Sequence, residues 1–464
     1  MNKIAKNYIY NLIYQLLVIL VPLITTPYIA RTLGAKGVGT FSYTNSIVQY
    51  FILFGCIGLN LYGQREIAYV QHDKKNRSIV FWELLILRII TISISILVYL
   101  FTVVRIDKYS TIFIIMSLEI FASLVDISWF FQGIEDFKKI VIRNLIVKIA
   151  GVLLIFLFIK NVEDLNLYVL IHSAVLFAGN LSIWIYIPKL VSRVSIHSLS
   201  LRRHIKPTLI LFLPQIATSV YTVLDKTMIG FITGIEEEVA YYEQGQKIVK
   251  IILTLVTSLS TVMMPRIANL FKQNELEKIS DYIYKSFRFV CLLAFPMMFG
   301  LMAISCNIVP WFFGPGYEKV VPNMMIISPI VVFISLSSIL GTQYLLPLRR
   351  QKQYTLSVLI GCIVNCTLNL LLIPRFLSLG AAVATIFAEG SVTFAHIIFT
   401  SKDFDYKTIF KDNAKYFVFS LAMFVIIYPL AHFLSASIMN TLVCVIVGVS
   451  VYLMCLLFSK DKII

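Results

Sequence analysis

Apolar runs of twenty or more residues follow one another through this 464-residue chain with only short polar breaks between them. The hydrocarbon core of a bilayer takes about 20 helical residues to cross. Fourteen runs meet that length, at roughly 8–30, 40–62, 80–103, 110–131, 140–160, 166–188, 207–232, 239–264, 283–309, 321–346, 354–374, 379–400, 413–433 and 437–459. Backbone polar groups in lipid must be satisfied within the span, so such an array folds as a bundle of helices. A membrane barrel would instead show alternating segments of about ten residues. Composition agrees: 59% of residues are hydrophobic and 14% charged, against about 25% charged in soluble domains. The expected class is an all-α integral membrane protein of about 14 transmembrane helices, with no soluble domain on either side.

The net charge of +16 suits a membrane protein with positive cytoplasmic loops, and no nucleic-acid partner is expected. With the N-terminus inside, inner segments hold 28 of the 40 Lys and Arg residues and outer loops hold 7. That bias predicts both termini cytoplasmic and an even number of spans. Lys3 and Lys6 lead into a full-length span without a small-residue cleavage site, so no cleavable signal is expected. The seven cysteines lie in or beside apolar spans and read as packing residues, with no disulfide and no metal.

A gapless shift of 201 sets Val38 over Val239, Phe41 over Tyr242, Ile47 over Ile248, Val48 over Val249 and Arg65 over Arg266. Six spans separate the copies, so both run the same way through the membrane, as in parallel transporter repeats. The expected division is an N-lobe at 1–206 (spans 1–6), a C-lobe at 207–400 (spans 7–12) and an appended pair at 401–464 (spans 13–14). Pro22 and Pro27 in span 1 and Pro214 in span 7 interrupt the backbone ladder and mark these spans as bending or gating elements.

Charges at membrane depth cost about 3 kcal/mol or more and are functional candidates. The bases within spans are Arg88, Lys148, Lys226, Lys247 and Lys250; the acids include Glu119, Asp225, Glu243 and Glu389. Glu243 and Lys247 have the favourable i,i+4 order for a structural pair. Glu119 and Glu389 read as deep carboxyls that either bind a transported proton or sit neutral and hydrogen-bonded.

Several motifs, in order, resemble one family. Pro22–Tyr43 (PLITTPYIARTLGAKGVGTFSY) is similar to its first hairpin, and Asp126–Asn144 (DISWFFQGIEDFKKIVIRN) looks like its signature after span 4. Leu224–Gly230, Met263–Phe271, Ser337–Pro347 and Asn369–Glu389 match its second half. The family is that of bacterial polysaccharide repeat-unit flippases, in the multidrug/oligosaccharidyl-lipid/polysaccharide superfamily. The resemblance implies alternating-access movement of an undecaprenyl-diphosphate-linked oligosaccharide from the inner to the outer leaflet of the bacterial cytoplasmic membrane. The glycan would be a capsule, O-antigen, teichoic acid or exopolysaccharide precursor. It also implies no enzymatic activity, no organic cofactor, coupling to protons, sodium or membrane potential, and a working monomer beside a polysaccharide polymerase. A diphosphate headgroup needs cations in a wet central cavity; Arg88, Lys226, Lys247 and Lys250 are the candidates. Asp225, Glu119, Glu243 and Glu389 are left for ion coupling or pairing. The rival readings are a cation-coupled drug exporter of the same superfamily, and a membrane polymerase or acyltransferase. Against the last, the histidines are scattered and no large external loop exists.

Overall fold

The computed structural model describes residues 3–459, with side chains described from residue 21 onward apart from 107, 196, 213, 214, 217–222 and 261. Among the described residues every regular element is helical. In order these are α1 (Lys3–Cys56), α2 (Leu59–Tyr69), α3 (Lys74–Thr102), α4 (Ser110–Val125), α5 (Ser128–Gly133), α6 (Phe137–Phe158), α7 (Leu165–Ser182), α8 (Ile187–Leu190) and α9 (Arg202–Thr233). There follow α10 (Glu236–Lys272), α11 (Leu276–Phe313), α12 (Val320–Ile327), α13 (Ile330–Ser338), a π-helical turn at Ile339–Leu345, α14 (Gln351–Phe399), α15 (Tyr406–Phe433) and α16 (Ile438–Phe458).

Eleven segments among the described residues are long and apolar enough to cross a membrane, and the chain is a multi-pass membrane protein. The expected fourteen are not counted one by one, for physical reasons. Spans 1 and 2 run on as α1, and spans 11 and 12 as α14. The middle of span 7, in α9, falls on side chains outside the described set. A straight helix of the 54 residues of α1 would be about 81 Å long, far beyond the roughly 30 Å of the hydrocarbon core. The backbone therefore breaks at Gly34 (φ 68°, ψ 174°), a conformation glycine adopts without a Cβ clash.

The break in α14 is at Leu377 (φ 55°, ψ −132°), where a side chain must tolerate positive φ. Beyond it, a Cβ on Gly380 would lie 2.5 Å from the Leu372 carbonyl oxygen. The two halves of α14 also share a partner: Asn369 and Thr385 both hydrogen-bond Asp225. On a straight helix they would stand about 24 Å apart. The halves therefore fold back on one another.

The chain forms two compact units, Met1–Val223 and Leu224–Ile464. The division falls inside α9 rather than at 206/207, and residues 401–464 belong to the second unit. In the first unit α1 packs on α3, α4 and α6, and α4 packs on α7. Its core gathers Phe81 of α3 with Trp129, Phe130 and Phe131 of α5, all essentially buried. The aromatic run after Asp126 is therefore a packed core segment, and Gly63 makes room for it: a Cβ there would touch the Trp129 ring at 2.7 Å.

In the second unit α11 and α15 pack along much of their length. Phe295 and Phe299 of α11 meet Phe417 and Phe424 of α15. Helix α16 is tied in by Tyr452, whose hydroxyl donates to the Leu292 carbonyl at 2.9 Å. The last two helices thus pack within this unit.

Candidate functional site

The most heavily built polar site lies within the second unit, around Asp225 of α9. Its carboxylate is buried and takes hydrogen bonds from Asn365 (3.0 Å), Asn369 (2.6 Å) and Thr385 (3.0 Å) of α14 and from the Tyr242 hydroxyl of α10. Four neutral donors satisfy a charge that would otherwise be very costly at this depth. Gln246 donates to the Tyr242 hydroxyl (2.9 Å), and Lys250 donates to Gln246 (2.8 Å). A single chain of hydrogen bonds thus runs from an exposed lysine to a buried carboxylate.

The set is also rich in hard oxygen: Asp225, Thr385 and the two amides. The Asn369 carbonyl oxygen is buried without a hydrogen-bond partner. Rotating the amides, whose O and N are assigned from the network alone, would turn oxygens toward the carboxylate. Such a set can take a proton or a small monovalent cation. Among the described residues no three His, Cys, Asp or Glu gather as a metal cluster.

The lysines lie around this site. Lys226 is 3.6 Å from Glu243, which joins α9 to α10. Lys247 stands within the field of both Glu243 and Lys226. Lys250 is exposed and feels Lys226, Asp225, Glu243 and Glu389. Glu389 is within electrostatic reach of Lys250 and Tyr242. Three bases therefore face three acids. The site is balanced when empty.

In the first unit Arg88 is turned into the interior. Its guanidinium donates to the Ser123 carbonyl (2.8 Å), the Asn60 side chain (2.7 Å) and the Cys56 sulfur (3.6 Å), and the residue is 1% exposed. In this conformation it ties α3 to α4 and to the chain on either side of the α1–α2 turn. Glu119 is buried and hydrogen-bonded to Asn45 (2.9 Å) of α1 and to His172 (3.2 Å) and Ser173 (3.2 Å) of α7. This deep carboxyl has three partners from two other helices. Pro22 and Pro27 lie inside α1, short of the Gly34 break. Pro214 lies in α9, but its side chain is outside the described residues.

Two groups of partners escape a reading of the sequence that takes charged residues one at a time. Asn365, Asn369, Thr385 and Gln246 make up the first. Yet Asn365 and Asn369, four apart in an apolar span, already share a helix face. The other group centres on Glu83 of α3, which is 1% exposed. It accepts from Arg203, from the Ser200 amide (2.6 Å) and from His204 (2.9 Å), and His204 lies 2.8 Å from the Tyr62 hydroxyl. Its partners sit about 120 positions away in the sequence, where no spacing rule reaches.

Comparison with known proteins places this architecture among transporters. A family model described as "Polysaccharide biosynthesis protein" matches residues 4–271. A protein of Escherichia coli (strain K12) named "Putative O-antigen transporter" is 26% identical over 406 residues, covering 86% of this chain and 97% of that protein. A "Probable low-salt glycan biosynthesis flippase" of Haloferax volcanii is 28% identical over 194 residues, covering 41% and 40%. Among solved structures, the lipid II flippase MurJ in an inward closed conformation superposes with a TM-score of 0.79 at 16% identity, over 98% of this chain and all of that one. An inward-facing multidrug resistance MATE family transporter gives 0.67 at 12% identity, over 82% and 93%. At those identities the likeness is one of fold.

Proposed function

The chain belongs to the polysaccharide biosynthesis protein family, and on that premise we propose that it is a flippase for a lipid-linked oligosaccharide. The substrate is an undecaprenyl-diphosphate-linked repeat unit, carried from the inner to the outer leaflet of the bacterial cytoplasmic membrane. The observation that carries this reading is the polar site of the second unit, where Lys226, Lys247 and Lys250 surround the caged Asp225. A transporter of purely apolar cargo has little use for three lysines at this depth. The relatives named as O-antigen transporter and glycan flippase support the choice of cargo. The fold likeness to multidrug transporters fits the alternative of a drug exporter. The sequence relative that matches along 86% of this chain, however, carries the O-antigen name.

The balanced charge suggests how transport is driven. A diphosphate arriving at three lysines and three acids makes the site net negative unless a cation enters with it. Asp225 and its oxygen-rich cage take that cation, either a proton or sodium, and binding of the two is then reciprocal. The cation balances charge at the site rather than driving transport, and an inside-negative potential favours outward movement of the net negative load, at about 2.3 kcal/mol per charge per 100 mV. The chain works as a monomer beside polymerase machinery, with both termini cytoplasmic.

The test is reconstitution into vesicles with a labelled undecaprenyl-diphosphate oligosaccharide. An impermeant glycosidase should trim the substrate faster when the protein is present; no difference from empty vesicles rejects the reading. Impermeant labelling of single cysteines in a cysteine-free background should find positions 237 and 319 outside and 75, 203, 350 and 407 inside. Labelling of 203 from outside would reverse the orientation.

A further inference from the structure

Within the first unit, a recess of about 740 Å³ opens where α2 ends and α6 begins. Leu61, Gln64 and Arg65 of α2, Gln132 near the end of α5, Phe137 of α6 and Leu211 of α9 line it. Small-molecule sites run from roughly 300 to 1,000 Å³ and are mostly apolar with a few placed polar groups, which describes this one. Its floor is closely packed. Gly133 passes so near α2 that a Cβ there would lie 2.7 Å from Ile67 and 2.8 Å from the Gln64 carbonyl oxygen. That approach brings the Gln64 and Gln132 side chains, from two helices, to the same recess. The stretch Asp126–Asn144 thus divides: its aromatic residues are core, and its Gln132–Phe137 end faces a cavity.

The charged side chains of the lining are already engaged. Arg65 is 3.2 Å from Glu66 and lies over the Tyr62 ring at 5.3 Å, and Glu135 has an interaction of its own. Recognition therefore falls to neutral groups. Gln64 and Gln132 are half-buried, and among the described residues neither amide side chain has a hydrogen-bond partner. Each amide presents two donors and an acceptor oxygen side by side. A matching ligand both donates and accepts at neighbouring atoms, as vicinal hydroxyls do and as a phosphate or an ammonium does not. Apolar surface lies beside the amides: Phe137 and Leu211 are half-buried and Leu61 is exposed. The weakly positive C–H face of a pyranose suits the negative face of an aromatic ring, and its hydroxyl rim suits the amides.

We infer that this recess is a saccharide subsite for neutral pyranose residues, hexose or N-acetylhexosamine, with their hydroxyls on Gln64 and Gln132 and an apolar face on Phe137. The inference deepens the flippase reading and rests on it for the source of the sugar, though not for the binding itself. In the orientation proposed above, the recess lies at the cytoplasmic end of the unit, on the side where the glycan of an inner-leaflet repeat unit is exposed. A site that hydrogen-bonds hydroxyls rejects a sugar lacking them, because its own polar groups are then left unpaired. The subsite thus contributes a selection among glycans that point charges on lysines cannot make.

Saturation-transfer NMR of the full-length protein in lipid nanodiscs, prepared without glycoside detergent, tests binding apart from transport. The probes are the methyl glycosides of glucose, galactose, N-acetylglucosamine and N-acetylgalactosamine. At least one is expected to receive saturation from the protein and none from empty nanodiscs. Gln64→Ala and Gln132→Ala should each weaken that binding roughly three- to tenfold, the worth of one hydrogen bond, and the pair should weaken it further. Phe137→Leu should weaken it severalfold, whereas Lys138→Ala, at an exposed position outside the lining, should change nothing. An unchanged melting temperature shows that each variant is folded. Silence of all four glycosides with the wild type overturns the inference, as does undiminished binding by the Gln64→Ala/Gln132→Ala protein. Displacement of the sugar by equimolar glycerol would mean a site for any polyol, and overturns the saccharide assignment. Transport in the vesicle assay without sugar binding keeps the flippase and removes the subsite; sugar binding without transport does the reverse.

Discussion

Glu243 reaches across to Lys226 on α9, at 3.6 Å, while Lys247 one turn along its own helix stays within the field of both. The pair is partly exposed and the distance long, so its net contribution is modest, about 1 kcal/mol. Removing either partner alone leaves an uncompensated charge within a membrane-spanning helix, which costs more than the pair contributes. Lys226→Gln and Glu243→Gln should each lower the amount of protein in the membrane. The double variant should recover most of that loss. Additive losses in a double-mutant cycle would show that the two side chains do not interact.

Replacing Lys247 and Lys250 together by Gln separates binding from structure. Lys250 contacts the cage only through Gln246, and a neutral side chain preserves that hydrogen bond. If the lysines serve the headgroup, abundance should stay near normal while delivery of glycan to the outer leaflet falls; if they serve to balance Glu243 and Asp225, abundance itself should fall. A loss of 1.4 kcal/mol in headgroup affinity would already appear as about tenfold. Full transport at normal abundance would remove both lysines from the mechanism.

Asp225→Asn puts a carboxamide among four hydrogen-bond donors. Its one oxygen cannot satisfy them all, and each buried donor left unpaired costs about 1–3 kcal/mol. The melting temperature should drop. A cation that binds only the folded protein raises its stability by mass action, so sodium or acid should stabilise the wild type in detergent and have no such effect on Asp225→Asn. Equal stabilisation of both proteins would place the coupling site elsewhere.

Local pattern is legible in a sequence, and it carried the fold class here. Apolar runs of about twenty residues identify a helical membrane protein, because backbone in lipid leaves few options. Gly34 and Gly234 both sit at positive φ, 68° and 65°, where each unit's first helix turns into its second. They are 200 residues apart, one off the gapless shift of 201, so an alignment of side chains does not pair them. Partnerships are not legible in the same way. Glu389 and Glu119 look solitary in sequence because their partners come from other helices, and Arg88 looks available because nothing beside it is acidic. Its actual partners are a carbonyl, an amide and a sulfur, groups too common along apolar spans to single out.

Two helix caps give a pH dependence. Asp73 accepts from the Asn76 and Lys75 amides at the start of α3, and Asp405 accepts from Lys407 and Thr408 at the start of α15. The bond to Asn76 holds Asp73 below the ordinary value of 3.8, and the bonds to Thr408 do the same for Asp405. Because these carboxyls titrate lower when folded, their contribution is complete above pH 3.8 and is lost as pH falls through the folded value. Hydrogen exchange in the first turns of α3 and α15 should therefore quicken below pH 3.8, beyond the intrinsic rate. In Asp405→Asn, which keeps the cap without the titration, that acceleration should vanish at Lys407 and Thr408. An unchanged profile would mean that the carboxylate does not hold the turn.

The fold-back in α14 is held against strain, and that can be measured. Leu377 sits at φ 55° and ψ −132°, where a side chain costs about 1–3 kcal/mol. The next residue is clamped: Glu238 of α10, 3% exposed, accepts from the Ser378 amide (3.2 Å) and hydroxyl (2.5 Å) and from Lys319 (2.6 Å). The carboxylate keeps the Lys319 ammonium above its usual range by that hydrogen bond. Leu377→Gly relieves the strain and adds roughly 0.5–1 kcal/mol of chain entropy to the unfolded state. It should therefore raise the melting temperature slightly, although it removes a half-buried leucine. Glu238→Gln should lower it by weakening the clamp. If the clamp exists to hold the strained turn, Glu238→Gln will cost less in the Leu377→Gly background than alone. Strictly additive effects would mean that the turn and the clamp are independent.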